Sequence, residues 1–391
     1  MVSFREIPET ASYLCRIRVL RLFAVSLLLC GLAGTAQGVE MTGLYRAEIV
    51  VENQSRQQRL TAYPRALLQV LTRVTGKRIE SSDPGVQGIL RSAVDYVAVF
   101  GYSEAPPLPP EPVTDTSAVP QLILPVPSRQ LLQVDFDAVA VTAALRVAGL
   151  PVWGATRPGT LLWLAIEDST DRYLLTEEQV ALVDIVGRLS DQRGVPVLVP
   201  IMDIQDQQTL NWFDVWADFG APIEQASARY APDAVLVGRI ARHGDQHWSG
   251  RWTLRQASNP AQWSVEGESL AAALEQGLRQ AIDVLASRYA PLSGSHVSGR
   301  TLLRISSVDT YAEFSRVMNY LRGLASVTRV VPTRVEATEV LIEIEHSDAF
   351  FGLQQAIDLG ATLQLVDVAA DLILETDPVL QGVAAYYQLT N

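Results

Sequence analysis

The stretch Leu161-Leu-Trp-Leu-Ala-Ile166, followed by Thr176-Glu-Glu-Gln179 and then Val195-Pro-Val-Leu-Val-Pro-Ile-Met202, decides the fold of the central part of this chain. An unbroken apolar run between turn residues is typical of a strand that is buried on both faces. The Thr-Glu-Glu-Gln pattern is a capping box, which predicts that a helix begins there. The second apolar run predicts another strand. Strand, helix and strand in succession predict a sheet with helices on its faces.

The same alternation extends over residues 128–292, which we interpret as a central α/β domain. Further strands are predicted at 131–136, 233–240, 248–254 and 263–267, with helices at 137–148, 212–230 and 270–289. These segments show the apolar spacing expected of a half-buried strand or an amphipathic helix. The central domain therefore belongs to the α/β class.

Two smaller units flank this domain, so the complete fold is predicted as α/β and α+β. Residues 39–104 read as a small N-terminal α/β unit with a strand at 44–52, helices at 56–75 and 86–97, and a strand at 97–102. Residues 300–391 follow the order β-α-β-β-α-β of a ferredoxin-like unit, whose last strands are predicted at 362–366 and 372–374. A Ser/Gly-rich joint, 293–299, precedes the C-terminal unit.

A proline-rich segment, 105–127, separates the first two units. Its density of prolines excludes a helix and predicts an extended, semi-rigid spacer between domains. The alternative is a polyproline II ligand for a partner domain. The spacer is the simpler interpretation, because recognition of such a ligand needs an aromatic groove elsewhere.

The first 38 residues have the order of a secretory signal peptide. Three arginines precede an apolar run, 22–33, and small residues follow it. The run is shorter than the roughly 20 apolar residues that span a bilayer, and no other segment is long and apolar enough to cross one. We therefore expect an exported protein in the periplasm of a Gram-negative cell. The alternative is an uncleaved anchor that keeps the protein at the membrane.

Composition excludes several classes of site. The chain carries a net charge of −12, which disfavours nucleic acid as a partner. Its two cysteines, Cys15 and Cys30, lie in the export segment, so the mature chain has no disulfide, thiol nucleophile or cysteine metal ligand. Lipid attachment at Cys30 would need a small residue before it, where Leu29 stands.

The sequence shows no catalytic, cofactor or metal motif. His243 and His247 flank a predicted hairpin turn, and two histidines without a third ligand are weak evidence for a metal. Ser295 and His296 lie in the Ser/Gly-rich joint, where a connector is the more economical interpretation than a nucleophile and base. We therefore expect neither an enzyme nor a bound cofactor.

The residues that we single out for binding are Trp153, Arg157 and Trp163. Two tryptophans beside an Arg-Pro-Gly turn could present an aromatic and cationic surface to a partner protein or a glycan. The alternative is that both tryptophans pack in the core and the arginine only occupies a turn. A second aromatic group has helical spacing and is interpreted as core: Trp212, Phe213, Trp216 and Phe219.

Three segments together resemble the bacterial envelope family catalogued as domain of unknown function 2066. They are Ala66-Leu-Leu-Gln-Val-Leu-Thr-Arg-Val-Thr-Gly76, Leu150-Pro-Val-Trp-Gly154 with Arg157-Pro158, and Leu161-Leu-Trp-Leu-Ala165. The repeat-like C-terminal tail adds to this resemblance, which spans nearly the whole mature chain. The segment 219–239, followed by a hairpin and a long helix, is similar to the α/β domain of periplasmic proteins. These include the Tol translocation protein, the curli secretion lipoprotein and activators of penicillin-binding proteins. The second resemblance implies an adaptor or assembly factor, and the first implies no particular activity.

Two hypotheses for function follow. The first is a non-enzymatic periplasmic adaptor or envelope-assembly protein, which contacts another envelope protein through an exposed sheet edge or the surface around residues 153–163. The second is a periplasmic hydrolase or glycan-binding module that acts on peptidoglycan. A hydrolase would need paired carboxylates facing one cleft, and their separation is not readable from the sequence.

Overall fold

The computed structural model describes residues 38–105, 129–169, 171–244, 247–256, 260–290, 299–346, 350–366 and 382–390. These residues all belong to one structural unit, 37–391. The predicted signal peptide, most of the proline-rich segment and most of the Ser/Gly-rich joint lie outside the described residues. No helix within the described part of the chain is long and apolar enough to span a membrane.

The N-terminal module is a three-stranded antiparallel sheet with helices packed on one face. Apolar side chains of α1 (Arg56–Thr75) and of alternate strand positions share one core, and Gly76 ends α1 with a left-handed backbone, φ 65°. The predicted first strand and helix are confirmed. The sheet has the order β2–β4–β3. Its elements are β2 (Arg46–Val51), α1 (Arg56–Thr75), α2 (Pro84–Arg91), β3 (Val97–Glu104), β4 (Gln130–Phe136) and α3 (Ala138–Val147); a short β1 (Val39–Glu40) precedes them.

The position of β4 differs from the predicted division of the chain. The strand at 131–136 was expected in the central domain, but β4 lies in the middle of the N-terminal sheet and pairs with both β2 and β3. The backbone N–H of Ala105 donates to the carbonyl of Arg129 at 3.0 Å. The proline-rich segment therefore connects two adjacent antiparallel strands of one sheet, and it does not separate two domains.

The central module is a mixed sheet with helices on both faces, as predicted. Its strand order is β11–β10–β9–β6–β7, and β8 pairs with the same side of β6 as β7. The elements are β5 (Thr156–Arg157), β6 (Thr160–Asp168), β7 (Asp171–Leu174), α4 (Val180–Arg193), β8 (Val197–Leu198), α5 (Ile204–Thr209), α6 (Trp212–Trp216), α7 (Gly220–Ser227), β9 (Ala234–Arg242), β10 (Trp248–Arg255), β11 (Ala261–Gly267) and α8 (Leu270–Tyr289).

Strand β6 explains why this sheet needs cover on both faces. Leu162, Leu164 and Ile166 belong to the core beneath α4 and α8. The alternate residues Leu161 and Trp163 belong to the core on the opposite face, with residues of α6 and α7. Successive side chains of a strand point to opposite faces. The unbroken apolar run therefore requires two helical layers.

The C-terminal module has the predicted element order β-α-β-β-α-β, with one further strand inserted into its sheet. Its sheet runs β13–β14–β12–β16–β15, with β12 parallel to β16 and antiparallel to β14. The predicted strand at 362–366 is confirmed as β15 (Leu363–Leu365), which follows the second helix and is antiparallel to β12. The strand β16 (Val383–Leu389) was not predicted; it lies between β12 and β15 and runs parallel to β12. The strand predicted at 372–374 lies outside the described residues. The elements are β12 (Gly299–Ser306), α9 (Tyr311–Gly323), β13 (Val327–Val335), β14 (Glu339–His346), α10 (Phe350–Asp358), β15 (Leu363–Leu365) and β16 (Val383–Leu389).

Candidate functional site: a cleft at the edge of the central sheet

The three residues predicted to form a binding surface lie in the interior. Trp153, Arg157 and Trp163 are all buried, and Arg157 has 0% of its surface exposed. The indole N–H of Trp163 donates to Oγ of Ser227 beneath α7, at 2.9 Å. These residues therefore cannot contact a partner or a glycan. The packing interpretation holds for both tryptophans.

Arg157 joins the central module to the end of α1. Its guanidinium donates to the backbone carbonyls of Gly154, Trp153 and Arg73 and lies 4.2 Å from the ring centre of Trp153. No carboxylate among the described residues forms an ion pair with it. Burial lowers the pKa of Arg157 to about 9. The backbone carbonyls at a helix C-terminus attract a cation, so this arginine links two modules.

Trp153 packs beside Arg157, between the end of α1 and α8. It stacks on Tyr289 of α8, with ring centres 6.0 Å apart and planes within 2° of parallel. A Cβ added to Gly76 would overlap the Trp153 ring, so the end of α1 approaches the indole closely. A cavity of about 50 Å³ beside it is also lined by residues of the C-terminal module, such as Ala325. We call Trp153 and Arg157 the junction pair, because they hold modules together.

A larger depression lies at the β7 side of the central sheet. This cleft has a volume of about 670 Å³, within the range of ligand pockets. We call it the edge cleft. Its apolar lining comes from the loop after β8 and from the start of α6, and its polar lining from β7 and the turn before α4. Among the residues that line it are Arg172, Tyr173, Leu174, Glu177, Glu178, Ile201, Met202 and Trp212.

Among the described residues, no backbone group pairs with β7 on the side away from β6. The N–H of Leu175 donates to the carbonyl of Leu164 at 2.9 Å. In an antiparallel ladder the paired and outward-facing groups alternate, so the amides of Arg172 and Leu174 face away from β6. Within the described residues no strand pairs with this outer edge. It can therefore accept an added strand.

Trp212 forms the floor at one end of the edge cleft. Helix α6 begins with a capping box between Asn211 and Asp214, which fixes the position of the first-turn indole. The indole N–H donates to the carbonyl of Ile166 at 3.0 Å. The guanidinium of Arg172 lies 5.1 Å from the ring centre, and Arg172 also pairs with Glu167 at 2.6 Å.

The four aromatic residues with helical spacing, which were predicted to lie in the core, are only partly buried. Trp212 and Trp216 are half-buried and stacked, with ring centres 4.7 Å apart. Phe213 and Phe219 are exposed and contact each other edge to face at 5.7 Å. Sequence spacing placed the four on one stripe but did not reveal which of them face solvent.

A polar network holds the loop that walls the cleft. Arg229 pairs with Asp203 at 2.6 Å and with Asp206 at 3.1 Å. The hydroxyl of Tyr230 donates to the buried carboxylate of Asp206, which also accepts from the backbone N–H of Met202. The bond from Arg229 lowers the pKa of Asp203 to about 2. These carboxylates are engaged in shaping the loop.

The part of the chain that the structure describes contains no group of three or more His, Cys, Asp or Glu side chains that could hold a metal ion. His243 and His247 flank the β9–β10 connection, as predicted, with ring centres 6.0 Å apart. A nitrogen of His243 and Oγ of Ser249 are hydrogen-bonded at 2.7 Å. The predicted hairpin therefore places both rings near the turn.

The architecture is thus that of a mixed α/β and α+β protein with a groove along a sheet edge. A family model described as a domain of unknown function (DUF8605) matches residues 38–154. That range contains β1 to α3, and it includes β4, which agrees with the observed N-terminal sheet. No curated protein matches the chain. The resemblance to domain of unknown function 2066 stays a prediction, since the matching model describes a different family.

Proposed function

We propose that this protein is an exported, non-enzymatic adaptor of the bacterial envelope that holds a partner protein in the edge cleft. The observation that carries this proposal is the outward-facing backbone of β7 above an apolar floor. An extended segment of a partner can add to such an edge as a strand. Export to the periplasm rests on the predicted signal peptide, and the adaptor role also agrees with the resemblance to periplasmic assembly proteins.

The lining of the cleft specifies the chemistry of the partner segment. Ile201 is 58% exposed beside β7 and offers apolar contact area. Glu177 and Glu178 are exposed at the rim, and no cation among the described residues forms an ion pair with either. Complementary charge gives specificity and speeds association. We therefore expect an extended, apolar segment that carries a basic side chain.

The hydrolase alternative finds less support in this cleft. Its two glutamates, Glu177 and Glu178, are adjacent in sequence and exposed to solvent. Catalytic carboxylates are usually shifted by burial or by close charges. Asp203 and Asp206 are not among the residues that line the cleft, and both form ion pairs with Arg229. The arrangement therefore favours binding over glycoside hydrolysis.

Crosslinking in cells that export the tagged protein tests the proposal, with Arg172→Pro and Arg172→Ala as a matched pair. Both remove the guanidinium, but only proline removes the outward-facing amide of β7. We expect mass spectrometry to show one envelope protein captured by the wild type and Arg172→Ala, and lost with Arg172→Pro. Thermal melting checks that both variants fold.

Equal capture by the folded proline variant would contradict strand addition at β7. Retention of muropeptides or glycan in place of a protein would favour the peptidoglycan-binding alternative. Val139→Ser serves as the surface control, because Val139 is 80% exposed on α3 and lies outside the edge cleft.

A further inference from the structure

A pair of arginines lies near the C-terminal end of α6 and outside the lining of the edge cleft. Arg239 of β9 and Arg251 of β10 are directly opposite each other in the antiparallel ladder. Residues opposite each other share one face of a sheet, with Cβ atoms about 5 Å apart, and like charges there are destabilising. A sequence that departs from a local rule in this way often does so at a functional site.

Neither arginine of this pair is neutralised within the described residues. One nitrogen of Arg239 donates to the carbonyl of Trp216 at 2.7 Å, which anchors the side chain. Arg251 is exposed, and neither arginine has a carboxylate within ion-pair distance in the part of the chain that the structure describes. Acidic residues outnumber basic ones, 43 to 31, in the whole chain. Two unpaired cations side by side are therefore unexpected.

The carboxylate among the described residues that line the same pocket as the two arginines, Asp218, is already engaged. Asp218 accepts from Arg255 at 2.8 Å through one oxygen and from the hydroxyl of Thr253 at 2.8 Å through the other. Arg255 lies 2.8 Å from Asp218 and 4.0 Å from Glu224, so its closer ion pair is with Asp218. The two positive charges of Arg239 and Arg251 therefore have no carboxylate partner among the described residues, and a bound anion could neutralise them.

These side chains line a pocket of about 300 Å³ between α6 and the open face of β9 to β11, with Arg239, Arg251 and Gln262 among its walls. We propose that this arginine pocket binds a phosphate group in its doubly charged form. Two guanidinium forks match the geometry of phosphate oxygens, and the carboxamide of Gln262 adds a donor. A dianion balances both arginines, whereas a single carboxylate would leave one unbalanced. The volume admits the phosphate and a few atoms of its carrier.

Calorimetric titration of the full exported chain with inorganic phosphate at mildly alkaline pH and low salt tests this site. We expect Arg251→Gln to weaken binding by about tenfold or more, because an interaction with a charged group is lost. Arg65→Gln is the control for net charge, since Arg65 is exposed on α1 and lies outside the pocket. It should leave phosphate binding unchanged. Thermal melting verifies that each variant is folded.

Two further titrations identify the charge state of the bound phosphate and show whether a larger molecule carries it. Phosphate binding should weaken at mildly acidic pH, where the monoanion dominates, while sulfate keeps its charge and its affinity. Tighter binding of glycerol 3-phosphate than of inorganic phosphate would show that a larger molecule presents the group; equal binding would indicate the free ion. No heat from either probe, or equal weakening by Arg65→Gln, would overturn the proposal.

Discussion

Two of the arginine–tryptophan contacts in this protein have similar chemistry and opposite surroundings. In the junction pair, Arg157 is fully buried and stacks on Trp153, and its Nε and Nη2 donate to backbone carbonyls. In the edge cleft, Arg172 stacks on Trp212, but its side chain is 62% exposed and pairs with Glu167. The same two residue types thus join modules in one place and line the proposed binding surface in the other. Which of these two roles an arginine–tryptophan pair has depends on neighbouring residues that are distant in sequence.

Removing each guanidinium should have very different effects on stability. Arg157→Ala leaves three carbonyls without a donor and a cavity behind, so we expect the free energy of unfolding to fall by about 3 kcal/mol or more. Arg172→Ala removes an exposed ion pair and should cost about 1 kcal/mol or less. Urea denaturation of both variants measures the difference. Equal shifts would contradict the assignment of Arg157 as a structural link.

Because the end of α1 lies close to Trp153, we expect substitution of Gly76 to lower the free energy of unfolding, but by less than Arg157→Ala does. Gly76 and Gly43 both have left-handed backbones, φ 65° and 67°, but only a Cβ at Gly76 would overlap the indole; a Cβ at Gly43 would meet no described atom within 4 Å. Gly43→Ala should cost about 1 kcal/mol, from backbone strain alone.

Gly76→Ala adds the steric overlap and should cost about 1–3 kcal/mol more than Gly43→Ala. Thermal and urea unfolding of the two variants isolate this difference. Identical losses would mean that Trp153 can move away from α1 at little cost, and the junction would then be loosely packed.

The smallest expected effect concerns alkaline pH. Burial raises the pKa of Tyr289 from 10.0 to about 12. A group with a raised pKa in the folded state stabilises the protein below the unfolded pKa, and this stability is lost as pH rises towards 12. Buried Arg157 acts in the opposite direction, because its lowered pKa favours folding as pH rises above about 9.

Tyr289→Phe removes the first of these contributions and keeps the ring against Trp153. The melting temperature of this variant should therefore fall less steeply than that of the wild type as pH rises from about 9 to 11. Melting curves across this range give both slopes. Parallel slopes would show that Tyr289 is not shielded from water in the folded protein.

Local patterns predicted most elements of the fold, and the errors concern pairings over long distances. Strand β6 and helix α1 follow from apolar spacing and from Gly76 as a stop signal. Strand β4 was assigned to the wrong sheet, because the proline-rich segment before it resembles an interdomain spacer in composition. Which neighbours a strand pairs with depends on contacts that no local window contains.

The candidate site was harder to predict than the fold, for the same reason. Trp153 is buried because Tyr289 and the end of α1 close over it, and neither is near it in sequence. The edge cleft depends on the backbone of β7, a four-residue strand whose outward amides carry no side-chain signal. A free sheet edge was expected, but its location required the strand order.

The central claim is that a partner protein occupies the edge cleft and that the junction pair makes no contact with this partner. Site-specific photocrosslinking in cells tests it most directly, with the photoreactive residue at Ile201 in the cleft or at Val139 on α3. The account predicts one dominant envelope-protein adduct from position 201 and none from position 139. The absence of an adduct at 201, or the same adduct from both positions, would contradict it.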